Sequence, residues 1–131
     1  MTPNYEKAQA EADRIAKLHG TACPMTILKK TPGVLVVSYT ETSKCVGIDR
    51  QQPLTMFGEH EQDAFTTARI ENGKTKYLVV YNQQLTCKET RYALARELGH
   101  IVLGHDGTRP EEVRNAEAVC FADHLLKEVE M

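Results

Sequence analysis

Three polar residues in the stretch "ARELGH" have the type and spacing of a zinc hydrolase site. A helix that carries H-E-x-x-H binds zinc through its two histidines and activates water with its glutamate. Glu97 and His100 occupy the second and last positions of that pattern, and Arg96 stands where the first histidine belongs. The stretch therefore predicts either a metal site or the altered descendant of one.

A second acid lies in the helix that follows, within a stripe of otherwise mostly apolar residues. Glu117 falls near the middle of this stripe, whose spacing is helical: Val113, Ala116, Cys120, Phe121 and His124. A buried carboxylate needs a partner, because burying it alone costs several kcal/mol or forces it to take up a proton. We therefore expect Glu97 and Glu117 to face each other around a shared cation or within a shared pair.

Two blocks of sequence resemble the ImmA/IrrE family of small zinc-dependent peptidase domains, which inactivate DNA-binding repressors. The blocks are "YNQQLTCKETRYALARELGHIVLGH" and "EEVRNAEAVCFADHLL", and they cover roughly the C-terminal half of the chain. The resemblance implies a zincin-like fold with zinc as cofactor. It implies that Glu97 is the catalytic glutamate and that His100 and Glu117 are metal ligands. It also implies a helix-turn-helix repressor as protein partner, and a sheet edge that pairs with the substrate backbone.

Arg96 departs from the family pattern at the first zinc ligand. A guanidinium group stays protonated and has no lone pair to give, so this residue cannot bind zinc. It could replace the ion by forking onto Glu117 or Glu97, or it could pair locally with Tyr92 or Glu89. Zinc binding would then be weak or absent, unless His105 or Cys120 completes a ligand set with His100 and Glu117.

These observations leave three functions open. The first is a metallopeptidase of a mobile element or regulatory system that cleaves a helix-turn-helix repressor, with Glu97 as its base. The second is a pseudopeptidase that binds a repressor or another protein without cleaving it. The third is a structural protein that shares only the fold of the family.

Composition sets further bounds on these functions. The chain has 131 residues, which suits one metallopeptidase-like domain over 1–131. Its net charge of −2, with no long run of either sign, indicates no direct contact with nucleic acid. No stretch reaches the roughly 20 apolar residues of a membrane span, and the polar N-terminus predicts a cytoplasmic protein. The four cysteines have no C-x-x-C spacing, so we expect reduced thiols, mostly in the core.

The elements that must position these residues form a predicted α+β domain. An amphipathic helix over 4–19 ends near Gly20, and β-branched runs predict an antiparallel sheet of three to four strands. Two of these strands, at 64–70 and 75–81, flank an Asn-Gly turn, and residues 44–48 could pair with the strand "TPGVLVVSYTE". A motif-bearing helix begins after a capping box at Thr86 and ends at Gly104, and a last helix covers 110–129.

Overall fold

The computed structural model describes residues 2–40, 63–105 and 110–129 of the chain. Within these ranges it shows an α+β domain with four helices and a three-stranded sheet, which confirms the predicted fold class. The elements follow in the order α1 (Tyr5–His19), α2 (Pro24–Lys30), β1 (Val34–Ser38), β2 (Ala64–Glu71), β3 (Lys74–Tyr81), α3 (Cys87–Val102) and α4 (Glu111–Val129).

The sheet is mixed, so the prediction of an antiparallel sheet is wrong for its first strand. The strand order is β1-β3-β2, and β1 runs parallel to β3 with Val34 opposite Tyr77. Parallel neighbours need a long crossover, which the chain between β1 and β2 is long enough to provide. A turn signal in the sequence reveals only strands that follow each other directly. The predicted partner strand at 44–48 lies outside the described residues.

The hairpin of β2 and β3 forms as predicted. Ala64 pairs with Tyr81 at one end and Glu71 with Lys74 at the other. The two turn residues, Asn72 and Gly73, have positive φ angles of 53° and 77°. A turn of this kind matches the twist of the flanking strands, which explains why Asn-Gly is so reliable a signal.

Helix α2 was not predicted from the sequence. It begins with Pro24, whose fixed φ suits the first turn, and it buries Ile27 and Leu28 completely. A helix of seven residues shows too few turns for its periodicity to stand out. It contacts β1 and α3, and so fills the space beside the motif-bearing helix.

The main core lies between the helices and one face of the sheet. Its largest fully buried side chains include Leu94 and Leu98 of α3, Phe121 and Leu125 of α4, and Val79 of β3. Helices α3 and α4 approach closely at Gly99, where an added Cβ would lie 3.1 Å from the Phe121 ring. This close approach sets the distance between the two helices that carry the acids.

The cysteines of the described residues differ in how far they are buried. Cys23 and Cys120 are half-buried free thiols, whereas Cys87 is exposed, so the expectation of core cysteines is wrong for Cys87. Cys45 lies outside the described residues.

Among the residues described, no helix is long and apolar enough to cross a membrane.

Candidate functional site

Helix α3 is fixed at both ends by backbone signals in the sequence. At its start, the Thr86 hydroxyl accepts from the Glu89 N–H at 3.1 Å, and the Glu89 carboxylate accepts from the Thr86 N–H at 3.0 Å. This is the predicted capping box. At its end, Gly104 adopts a left-handed φ of 66°, as expected for a helix terminus.

The turn at Gly104 brings the residue after the helix back against it. The His105 N–H donates to the His100 carbonyl at 3.0 Å, and the Gly104 N–H donates to the Ile101 carbonyl at 3.2 Å. These two bonds form a Schellman motif. Because of this geometry, the imidazole of His105 returns to the side of α3 that carries His100.

His100, His105 and Glu117 form one chain of polar contacts. The Nδ1 atoms of the two histidines lie 2.8 Å apart, and His105 Nε2 lies 2.9 Å from Glu117 Oε1. The other oxygen of Glu117 accepts a hydrogen bond of 2.7 Å from the backbone N–H of Asn4, just before α1. The side chains of His105 and Glu117 are both almost fully buried. Glu117 is therefore satisfied by groups of the protein on both oxygens.

Glu97 has a different partner. Its carboxylate accepts a hydrogen bond of 2.8 Å from the hydroxyl of Thr66 on β2, and the residue is buried. Burial raises the pKa of Glu97 to about 6, against the opposing effects of the Thr66 hydrogen bond and the Arg96 charge. A carboxyl group with such a pKa can take up and release protons near neutral pH. Glu97 and Glu117 have different partners among the described residues, so the structure shows no shared pair, and a shared cation stays a prediction.

His100 is neutral at physiological pH. Its pKa is lowered to about 4, first by burial and then by the neighbouring His105, Arg114 and Arg96. A neutral imidazole keeps a lone pair on one ring nitrogen. His100 can therefore accept a proton or a hydrogen bond, or bind a metal ion.

Arg96 makes neither of the ion pairs that the sequence suggested. Its guanidinium carbon lies 5.4 Å from the centroid of the Tyr92 ring, one turn earlier on α3. Its Nε atom is buried and has no hydrogen-bond partner in the part of the chain that the structure describes. Adjacent side chains on a helix point in different directions, which separates Arg96 from Glu97, and His105 already occupies Glu117.

Four of the five predicted site residues line one cleft. The cleft has a volume of about 380 Å³ and lies between α3, the strand β2 and the start of α4. From α3 and its C-terminal turn it receives Arg96, Glu97, His100 and His105. Glu117, the fifth, lies behind His105. Cys120 is not part of this cluster, since its thiol contacts the Tyr5 carbonyl at 3.8 Å.

Three further residues take part in the site and were not predicted. Thr66 and Arg114 line the cleft, and Asn4 supplies a backbone N–H to Glu117. Asn4 carries a sequence signal only as an N-cap, which its side-chain contact with Lys7 confirms. No spacing rule connects any of the three to the motif helix.

The donor set does not fit the zinc site that the resemblance implies. Arg96 has no lone pair, and both oxygens of Glu117 are engaged by N–H groups or an imidazole. Within the described residues, no group of three or more histidine, cysteine or acidic side chains is arranged to hold a metal ion. The closest approach of two possible ligand nitrogens described above is between His100 Nδ1 and His105 Nδ1. Zinc binding therefore stays a prediction.

Comparison with known proteins identifies no relative. No protein family, no curated protein and no solved structure matches this chain. The resemblance to the ImmA/IrrE peptidases therefore depends on the two sequence blocks alone.

Proposed function

We propose that this protein is a peptidase-like binding protein of a regulatory system or mobile element. In this proposal it holds an extended segment of a protein partner, a helix-turn-helix repressor, and does not cleave it. The observation that carries the proposal is the cleft between α3 and β2, which collects the motif residues beside an outer strand of the described sheet. The choice of a repressor, and of the cytoplasm as the place of action, depends on the sequence patterns alone.

The strand β2 is suited to hold an extended segment. In the described sheet it pairs with β3 on one side, and its residues Phe65, Thr66 and Ala68 border the cleft. An extended peptide that adds to a sheet edge gains affinity from backbone hydrogen bonds and specificity from side-chain pockets. The cleft beside β2 would accept the side chains on one face of such a segment.

Two features of the site favour binding over hydrolysis. Arg96 removes one metal ligand and places a fixed positive charge beside His100. Glu117, the carboxylate ligand of the resemblance, is already satisfied by His105 and the Asn4 N–H. The resemblance assigns hydrolysis to a water molecule activated by zinc, and the residues present do not supply the three ligands that such a zinc site needs.

One observation favours hydrolysis as a second candidate. His100 and His105 bring their Nδ1 atoms within 2.8 Å, and Glu117 accepts from the opposite side of His105. A carboxylate behind a histidine is the usual support of a metal-binding imidazole. In that case the two histidines would hold the ion, and Glu97 would take the proton of a water molecule.

The test uses the purified protein and a purified helix-turn-helix repressor as the proposed partner. We expect the wild-type protein to bind the repressor without cutting it and to contain less than one zinc per chain after dialysis, whereas Arg96→His gains zinc. Cleavage by the wild-type protein that is lost in Glu97→Gln and in EDTA would establish the second candidate. If the protein neither binds nor cleaves the repressor, both candidate functions are refuted.

A further inference from the structure

The strongest unexplained feature of the cleft is the guanidinium group of Arg96. A buried Nε atom without a hydrogen-bond partner is rare in folded proteins, because a buried donor that is left unpaired destabilises the fold. Arg96 shows this deficit at its Nε atom within the part of the chain that the structure describes. Its guanidinium carbon lies 5.4 Å from the centroid of the Tyr92 ring, and its charge acts on Glu97 and His100.

Two arginines, Arg96 and Arg114, bring positive charge to the cleft, which the acids Asp63, Glu97 and Glu111 also line. His100 is influenced by both Arg96 and Arg114, and each of them lowers its pKa. His105 lowers it as well, and no carboxylate acts in the opposite direction. Glu97 accepts a hydrogen bond from Thr66, and Glu117 contacts His105. An anion beside His100 would meet the positive charge of Arg96.

We propose that the cleft binds a carboxylate group of the partner, and that Arg96 is the residue that holds it. The guanidinium fork matches the two oxygens of a carboxylate. Its central carbon lies over the Tyr92 ring, 5.4 Å from the centroid. This inference rests on the proposed function, because it specifies which extended segment the cleft would accept. The segment carries a glutamate or aspartate side chain, or ends in a free carboxylate, at the position that faces Arg96.

The first test uses acetate as the probe and the wild-type protein alone. Sodium acetate replaces sodium chloride at constant ionic strength while NMR follows the arginine Nε–H signals. The Arg96 signal is assigned by its loss in Arg96→Lys. We expect a saturable shift of this signal and no saturable shift of the Arg91 signal. Arg91 is a suitable internal control because it is exposed on the same helix and does not line the cleft.

The second test uses three extended peptides of alternating valine and threonine with one central variable residue. The first has a central glutamate and blocked ends, the second a central glutamine and blocked ends, and the third a central glutamine and a free C-terminal carboxylate. We expect one of the two carboxylate peptides to bind at least about tenfold tighter than the blocked glutamine peptide, as a charged hydrogen bond allows. The peptide that binds more tightly shows whether the cleft prefers a carboxylate side chain or a C-terminal carboxylate.

The variants separate this inference from the proposed function. Arg96→Gln should abolish the preference for a carboxylate, and Arg91→Gln should retain it, with folding of each checked by circular dichroism. Equal binding of all three peptides without an acetate shift would overturn the carboxylate site and leave peptide binding intact. A saturable acetate shift without binding of any peptide would support the carboxylate site and count against the added strand. If there is no acetate shift and no peptide binds, both the carboxylate site and peptide binding at this cleft are overturned.

Discussion

The opposite pKa shifts of Glu97 and His100 predict that their pH-dependent contributions to the free energy of unfolding hide each other in mild acid. The pKa of Glu97 is raised from 4.5 to about 6, so the folded state holds its proton more tightly than the unfolded state. Its contribution to the free energy of unfolding therefore falls as the pH rises from 4.5 to 6. The pKa of His100 is lowered from 6.5 to about 4, so its contribution falls as the pH decreases through the same range.

The two effects nearly cancel. Between pH 6 and pH 4.5, His100 alone would reduce the free energy of unfolding by about 2 kcal/mol, and Glu97 would return somewhat more than 1 kcal/mol. The pair together should therefore change it by only about 0.5 kcal/mol. Neither group is among the causes of the other's shift, so removing one should leave the other unchanged.

Glu97→Gln should uncover the His100 contribution. Glutamine keeps an oxygen that can accept from Thr66, so the hydrogen bond at this position is conserved. The assay is urea unfolding at pH 4.5, 5, 5.5 and 6, with EDTA present so that no metal binds the histidines. We expect the variant to lose more than 1 kcal/mol relative to the wild type as the pH falls. The control Glu6→Gln removes an exposed acid and should follow the wild type. Parallel profiles of the Glu97 variant and the wild type would refute the argument.

Two further predictions concern the frame of the site. Thr86→Ala removes the cap that fixes the start of α3 and should lower the free energy of unfolding by about 1 kcal/mol, measured in urea. The control is Thr2→Ala, at an exposed threonine. If Thr86→Ala loses no more stability than this control, the prediction is contradicted. Gly99→Val should cost about 2 kcal/mol or more, because its side chain would overlap the buried Phe121 ring. A variant as stable as the wild type would show that the two helices can separate.

The sequence predicts the parts of this fold whose signals are local. The Asn-Gly turn, the capping box at Thr86 and the helix terminus at Gly104 each specify a backbone conformation over a few residues, and all three form. The parallel pairing of β1 with β3 is not local, since strands distant in the sequence meet there. No turn residue marks such a pair, and alternation of apolar residues does not distinguish the two directions.

The same distinction applies to the candidate site. Periodicity correctly places Glu97 and Glu117 on buried faces, because it reports the rotation of a residue about its own helix. It does not report which group of another element comes opposite. Glu117 is satisfied partly by a backbone N–H, which every residue except proline carries and which no sequence pattern distinguishes. The position of His105 depends on a left-handed turn after the helix, where helical periodicity no longer applies.

The contacts of Glu117 also decide what Arg96 contributes to stability. If Arg96 were the counter-ion of a buried acid, its removal would leave that charge unpaired and cost about 3–5 kcal/mol. Because Glu117 is bound by His105 and the Asn4 N–H, and Glu97 by Thr66, both buried acids keep a hydrogen-bonded partner when Arg96 is removed. Glu97 loses only the effect of the Arg96 charge. Arg96→Gln should therefore change the free energy of unfolding by no more than about 1 kcal/mol, the value of its contact with Tyr92.

Glu117→Ala provides the contrast in the same urea experiment. It should cost about 2–4 kcal/mol, since the Asn4 N–H and the buried His105 imidazole both lose this acceptor. If the two variants lose equal stability, Arg96 serves the fold as a counter-ion. If only the Glu117 variant is destabilised, the guanidinium is not required by the fold. That outcome is the one that the carboxylate site at Arg96 requires.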